Sequence, residues 1–144
     1  MKSMLIAAGL LSLCLAGAAT AKPQMSTEDL LGLMLEGKSA VQGEELEEAI
    51  RTADAFPLGH AKNPVRVSQP SGERGYLNRL RCSDGNPPAY ERLGSTGNSP
   101  YGNIMDIYAV RCEGSTPADS QVFMDMYHKG FSEPRPVPGF TAAQ

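Results

Sequence analysis

Two aspartates stand in matched settings, Met105-Asp106-Ile107-Tyr108 and Met124-Asp125-Met126-Tyr127. Both stretches alternate as strands do, with successive side chains on opposite faces. Asp106 therefore shares a face with Tyr108, and Asp125 with Tyr127. If the two strands form a hairpin that pairs residue 112 with residue 119, Asp106 faces Asp125 directly. Carboxylates that close raise each other's pKa or attract a cation. Pairs of this kind do general acid–base work in some hydrolases. A register two residues away sets each Asp opposite a Tyr, a good hydrogen-bonding pair. A slip of one residue buries the carboxylates among the methionines, which is costly. Arg79 or Arg81 is the neighbour that would neutralise such an aspartate. Tyrosine offers contact area with a polar tip, so the face suits a ligand or partner better than catalysis. The candidate binding residues are thus Asp106, Tyr108, Asp125 and Tyr127, and no catalytic residue is assigned.

A second set, Met124, Met126 and His128, alternates onto one side of the last strand. Thioether and imidazole ligands suit copper in an oxidising compartment. The same alternation makes both methionines core residues, so no metal ligand and no cofactor is assigned. His60 lies in a loop. The sequence has no phosphate-cradling glycine loop, no zinc-type spacing and no Gly-x-Ser-x-Gly. The net charge of −3 gives no electrostatic footprint for nucleic acid.

Cys82 and Cys112 are the pair of cysteines that remains if residues 1–21 are removed as a signal. Met1-Lys2 is a short basic start, residues 4–16 are an apolar run, and Ala19-Thr20-Ala21 offers the small residues that signal peptidase needs. The run is too short to span a bilayer, which takes roughly 20 residues. Cys14 leaves with it, and Leu13 before it argues against lipid attachment. The mature chain then starts at Lys22, carries no transmembrane segment, and is about the size of one domain. An even pair of cysteines in an exported chain reads as a disulfide.

These side chains need elements to hold them. Residues 22–56 are helical and acidic, with eight acids and three bases. In the first helix Ser26 is the cap, Asp29 its capping-box partner, and Leu30, Leu31, Met34 and Leu35 the apolar stripe, with Gly37 at the stop. The second helix starts between Ser39 and Glu44, carries Leu46, Ala49, Ile50 and Ala53 at helical spacing, and ends before Pro57. From residue 57 to 132 the period is 2. Strands are expected at about 64–69, 75–82, 88–94, 103–112 and 120–128, with turn residues between them. Met105, Ile107 and Ala109 with Val122, Met124 and Met126 form the apolar face that packs on the helices. Residues 133–144, with Pro134, Pro136 and Pro138, are an extended, proline-rich tail.

Arg81-Cys82 and Arg111-Cys112 are each followed five residues later by a proline, so each cysteine closes a hairpin. In a plain meander the two ends lie about 9.5 Å apart, two strand spacings. A disulfide needs Cα atoms within about 7 Å. Either the two strands are neighbours, or the cysteines sit in turns that bend together.

As a set, Asn63-Pro64-Val65-Arg66, Leu80-Arg81-Cys82, Pro100-Tyr101-Gly102-Asn103-Ile104, Met124-Asp125-Met126-Tyr127-His128 and Arg135-Pro136-Val137-Pro138-Gly139-Phe140 resemble a family of small exported bacterial proteins of unknown function. The resemblance spans roughly residues 57–140 and implies a periplasmic setting, with no activity or catalytic residue to carry over. The resulting expectation is an α+β domain: two N-terminal helices, then a four- or five-stranded antiparallel sheet with one disulfide. Its expected role is a non-enzymatic periplasmic binding or interaction module for an envelope protein or a small ligand. The alternatives are a small enzyme that uses the Asp/Tyr face and a copper-binding protein.

Overall fold

The computed structural model describes residues 25–143. The expected signal, its cleavage site and Cys14 lie outside these residues. The elements, in chain order, are α1 (Thr27–Leu35), α2 (Gly43–Ala53), β1 (Val65–Ser68), α3 (Gln69–Arg79), β2 (Leu80–Arg81), β3 (Ala89–Asn98), β4 (Ile104–Arg111), β5 (Asp119–Asp125), β6 (Tyr127–Ser132) and β7 (Thr141–Ala142). Five strands make one sheet in the order β3-β4-β5-β1-β6, and β2 pairs with β7 apart from it. The fold is α+β with a disulfide, as expected. The sheet is mixed rather than antiparallel, because β1 runs parallel to β5.

The local chemistry of α1 follows its sequence. The Ser26 hydroxyl accepts the N–H of Asp29 at 3.1 Å, which satisfies one of the free amides at the helix start. At the other end Gly37 takes φ 68, and the N–H of Lys38 reaches back to the Leu33 carbonyl at 2.9 Å. A Cβ on Gly37 would fall 2.1 Å from Nε2 of Gln69. The apolar stripe, however, is not packed away. No residue of α1 is buried, and Leu35 keeps 78 % of its surface exposed.

The third helix corrects the expected strand at 75–82. Gln69-Pro70-Ser71-Gly72 opens a helix rather than a turn, with proline in its first turn, where a missing N–H costs nothing. Gln69 itself sits at φ 65, a left-handed conformation rare for a residue with a side chain. Its N–H donates to the Met126 carbonyl at 2.8 Å. Glu73, Tyr76, Leu77 and Leu80 then fall on one face and are all buried. Gly72 lets the helix settle on the sheet, since a Cβ there would lie 3.2 Å from Cβ of Val67.

The core lies between α3 and the sheet. Val65, Val67, Tyr108, Val110, Val122 and Met124 meet Tyr76, Leu77 and Leu80 there. The tail from residue 133 is part of the same structure. Val137 and Phe140 are buried, and β7 pairs with β2. Glu133 receives a forked pair of bonds from Arg135, at 2.8 and 3.1 Å. Tyr76 donates its hydroxyl to the Arg135 carbonyl at 3.0 Å.

Cys82 and Cys112 form the expected disulfide, with Cα atoms 5.7 Å apart. The meander that would have separated them does not exist. A helix replaces the second strand, and each cysteine begins a turn closed on itself, Gly85 N–H to Cys82 O and Ser115 N–H to Cys112 O. At a sequence separation of 30, the bridge stabilises by about 3.5 kcal/mol in the chain-entropy account.

Candidate functional site

The β4–β5 hairpin closes one residue earlier than the pairing that sets Asp106 against Asp125. Cys112 N–H donates to the Ala118 carbonyl at 2.8 Å, and Arg111 pairs with Asp119. Asp106 therefore faces Met124, not Asp125. A shift of one residue moves every side chain of β5 to the other face relative to β4. Asp106, Tyr108, Val122 and Met124 share the face under α3, while Asp125 points to the opposite side. The carboxylates are buried, as that slip requires, and each has its own set of partners.

Asp106 is gripped by Arg92, Nε to Oδ2 at 2.6 Å and Nη2 to Oδ1 at 2.8 Å, and by the Ser95 hydroxyl at 3.0 Å. The neutralising arginine comes from β3, not from Arg79 or Arg81. Arg79 instead donates to the Glu133 carbonyl, and Arg81 to the carbonyls of Asn78 and Leu80. Tyr108 donates its hydroxyl to Glu73 at 2.9 Å. Burial, followed by the nearby Asp106 charge, pushes the Glu73 carboxyl up to about 7. Its Oε1 is buried without a hydrogen-bond partner. Sealed at 1 % exposure, Glu73 offers a substrate no approach.

Asp125 is fully buried on the other side and joins three segments. Ser99 donates its hydroxyl to Oδ2 at 2.6 Å, and Asn103 Nδ2 donates to Oδ2 at 2.9 Å. The N–H of Tyr127 reaches Oδ1 at 3.0 Å and ends β5. His128 Nε2 stands 3.5 Å away. Burial alone would raise the Asp125 carboxyl; His128, Ser99 and Asn103 outweigh it and hold the group below the usual carboxylate range. Asn103 extends the network, donating to Ser39 Oγ at 3.2 Å and accepting the Ala40 N–H at 2.9 Å. This ties the link between α1 and α2 to the sheet.

Above this network lies a groove of about 410 Å³. Lys38, Ser39 and Gln42 from the α1–α2 link and Leu46 of α2 form one wall. Arg66 of β1 and Tyr127, His128, Lys129 and Phe131 of β6 form the rest. The lining holds three cations and no carboxylate. Arg66 lies over the Phe131 ring, 4.4 Å from its centre. Among the described residues no carboxylate comes within ion-pair distance of Arg66 or Lys129; Lys38 is paired with Glu36 at 2.6 Å on the rim, and Lys129 also draws the Glu36 carboxyl down.

Ser39, His128 and Asp125 gather at the base of this groove, which raises the question of a nucleophile. The Ser39 hydroxyl donates to the Tyr101 carbonyl at 3.2 Å and accepts from Asn103. No hydrogen bond joins it to His128, so the link that activates a serine is missing. His128 instead packs edge-on to Tyr101, ring centres 5.0 Å apart. Copper ligation by Met124, Met126 and His128 has no common face to use. Met124 has no exposed surface and sits in the core under α3, the strand breaks at Met126, and His128 faces Asp125.

Of the four expected binding residues, only Tyr127 reaches the groove. Arg66, Lys38 and Lys129 were not singled out in the sequence, because they come together only through the sheet order. Glu73 had a readable signal, the helical spacing of residues 73, 76, 77 and 80. No protein-family model matches the chain, and neither does any curated protein or solved structure.

Proposed function

We propose that this domain is a non-enzymatic binding module of the bacterial periplasm, and that its ligand is anionic and seats in the groove over β1 and β6. The observation that carries the reading is a lining that holds Arg66 and Lys129 with no carboxylate of the described residues in ion-pair distance, beside Lys38, which Glu36 pairs on the rim. With Lys38 paired to Glu36, Arg66 and Lys129 leave a net positive charge around the concavity, which raises the local concentration of anions. Arg66 presents a planar fork of donors suited to carboxylate or phosphate. The buried Asp125 network supports a binding role rather than a catalytic one: it holds the wall of the groove in place. The periplasmic setting rests on the expected signal, the resemblance to exported proteins, and the Cys82–Cys112 disulfide. No helix among the described residues is long and apolar enough to cross a membrane.

The test is an NMR titration of the oxidised protein with sodium acetate and with inorganic phosphate at constant ionic strength. Amides of Lys129 and Phe131 should shift with either anion, and Lys129→Glu should reduce the response several-fold. Shifts spread evenly over the surface would refute an anion site in this groove.

A further inference from the structure

Resting on the anion-binding reading, we propose that the ligand is an amphiphilic carboxylic acid: a single carboxylate on an apolar body small enough to enter the groove. Charge alone does not describe this concavity. Leu46, Tyr127 and Phe131 line it as well, and each is only half-buried. Phe131 supports the Arg66 guanidinium on its ring face, at 4.4 Å, while Tyr101 stands below the same group at 5.9 Å. Contact with two aromatic rings limits how that fork can turn, which favours its use as a head-group clamp. Lys129 adds an exposed charge to the lining, and Leu46 of α2 provides an apolar contact.

The volume of about 410 Å³ falls in the range of small-molecule sites, roughly 300 to 1,000 Å³. A bare inorganic anion would leave the apolar wall wet. A neutral hydrocarbon would leave Arg66 and Lys129 unmatched. One carboxylate with an apolar tail satisfies both halves at once. A phosphate ester would fit the charge equally well, and the experiment separates the two.

The oxidised full domain is titrated by calorimetry with octanoate, octanol, acetate, octyl phosphate and inorganic phosphate, all below their aggregation concentrations. The expected result is octanoate binding at least tenfold more tightly than acetate or octanol, and at least as tightly as octyl phosphate. Phe131→Ala removes apolar wall and the support of Arg66 together and should weaken both octanoate and acetate, whereas Leu46→Ala should weaken octanoate at least fivefold and acetate far less; Lys129→Ala, at an exposed position that does not threaten folding, should weaken both. If acetate and inorganic phosphate bind as well as octanoate, the anion site stands and the amphiphile is wrong. If octyl phosphate binds more tightly than octanoate, the head group is a phosphate ester and the carboxylate assignment falls. If octanol matches octanoate, or nothing binds, both this proposal and the anion reading fail.

Discussion

At the scale of single residues, the two buried acids have opposite electrostatics and make opposite predictions. Glu73 ionises near 4.5 when unfolded and at about 7 when folded. Between those values the folded protein keeps a proton that the unfolded chain has lost. Stability therefore falls as pH rises from 4.5 to about 7, and stays lower above that. Glu73→Gln should remove this loss, its amide carbonyl accepting the Tyr108 hydroxyl in place of the carboxyl. The variant should match wild type near pH 4.5 and exceed it at pH 8 by up to about 3 kcal/mol in urea unfolding. Asp125 goes the other way. Its carboxyl is held low, so its contribution is present above the unfolded value and is lost as pH falls through the folded one. Asp125→Ala should cost about 3 kcal/mol at pH 7, because Ser99 and Asn103 lose a charged acceptor. The difference from wild type should narrow toward pH 3, and thermal melts across that range would show it. Both acids could be picked out of the sequence, or nearly so: Asp125 by its repeat with Asp106, Glu73 by the spacing of its helix. Their partners could not, because Ser99, Asn103 and Tyr108 reach them only after the chain has folded back.

At the scale of elements, α3 decides how closely a helix can approach the sheet. Gly72→Leu puts a side chain where Val67 already lies 3.2 Å from the first added carbon. The expected loss is about 1 to 3 kcal/mol, despite the better helix propensity of leucine. Chemical denaturation of the purified variant measures it. This helix also shows where sequence reading fails. Gln69 to Gly72 has the composition of a turn, and Gly75 adds a further breaker that hides the buried stripe of Glu73, Tyr76, Leu77 and Leu80. Most other elements were legible. Ser26 and Gly37 bound α1, Pro57 follows α2, and the strands at 64–69 and 103–112 lie within two residues of β1 and β4. The strand expected at 120–128 splits in two because Asp125 accepts the Tyr127 N–H, a side-chain event with no periodic signature. The hairpin register was not legible either. It depends on whether the turn after Cys112 closes on Ala118 or Asp119, and that one-residue choice moved the candidate aspartates off a shared surface.

At the scale of the whole molecule, stability is distributed unevenly. The first helix holds no fully buried residue, only the half-buried Leu30, Leu33 and Met34, whereas the last eleven described residues supply Glu133, Val137, Phe140 and β7. Amide exchange should therefore find α1 barely protected and β1, β4 and β5 the slowest. Removing residues 133–144 should abolish cooperative thermal unfolding, while a chain starting at Glu36 should retain it; calorimetry of the two truncations distinguishes them. The position of β1 has a further consequence. It lies between β5 and β6, so both of its hydrogen-bonding edges are occupied by the last two strands of the main sheet. Contacts so distant along the chain make folding slow. As the polypeptide emerges from a ribosome, Val65–Ser68 arrives early and finds no mate until Met124 and Asp125 are out, nor its second until β6 follows. During that interval the segment is open to whatever chaperone meets it first, and the main sheet cannot close before its last two strands are out.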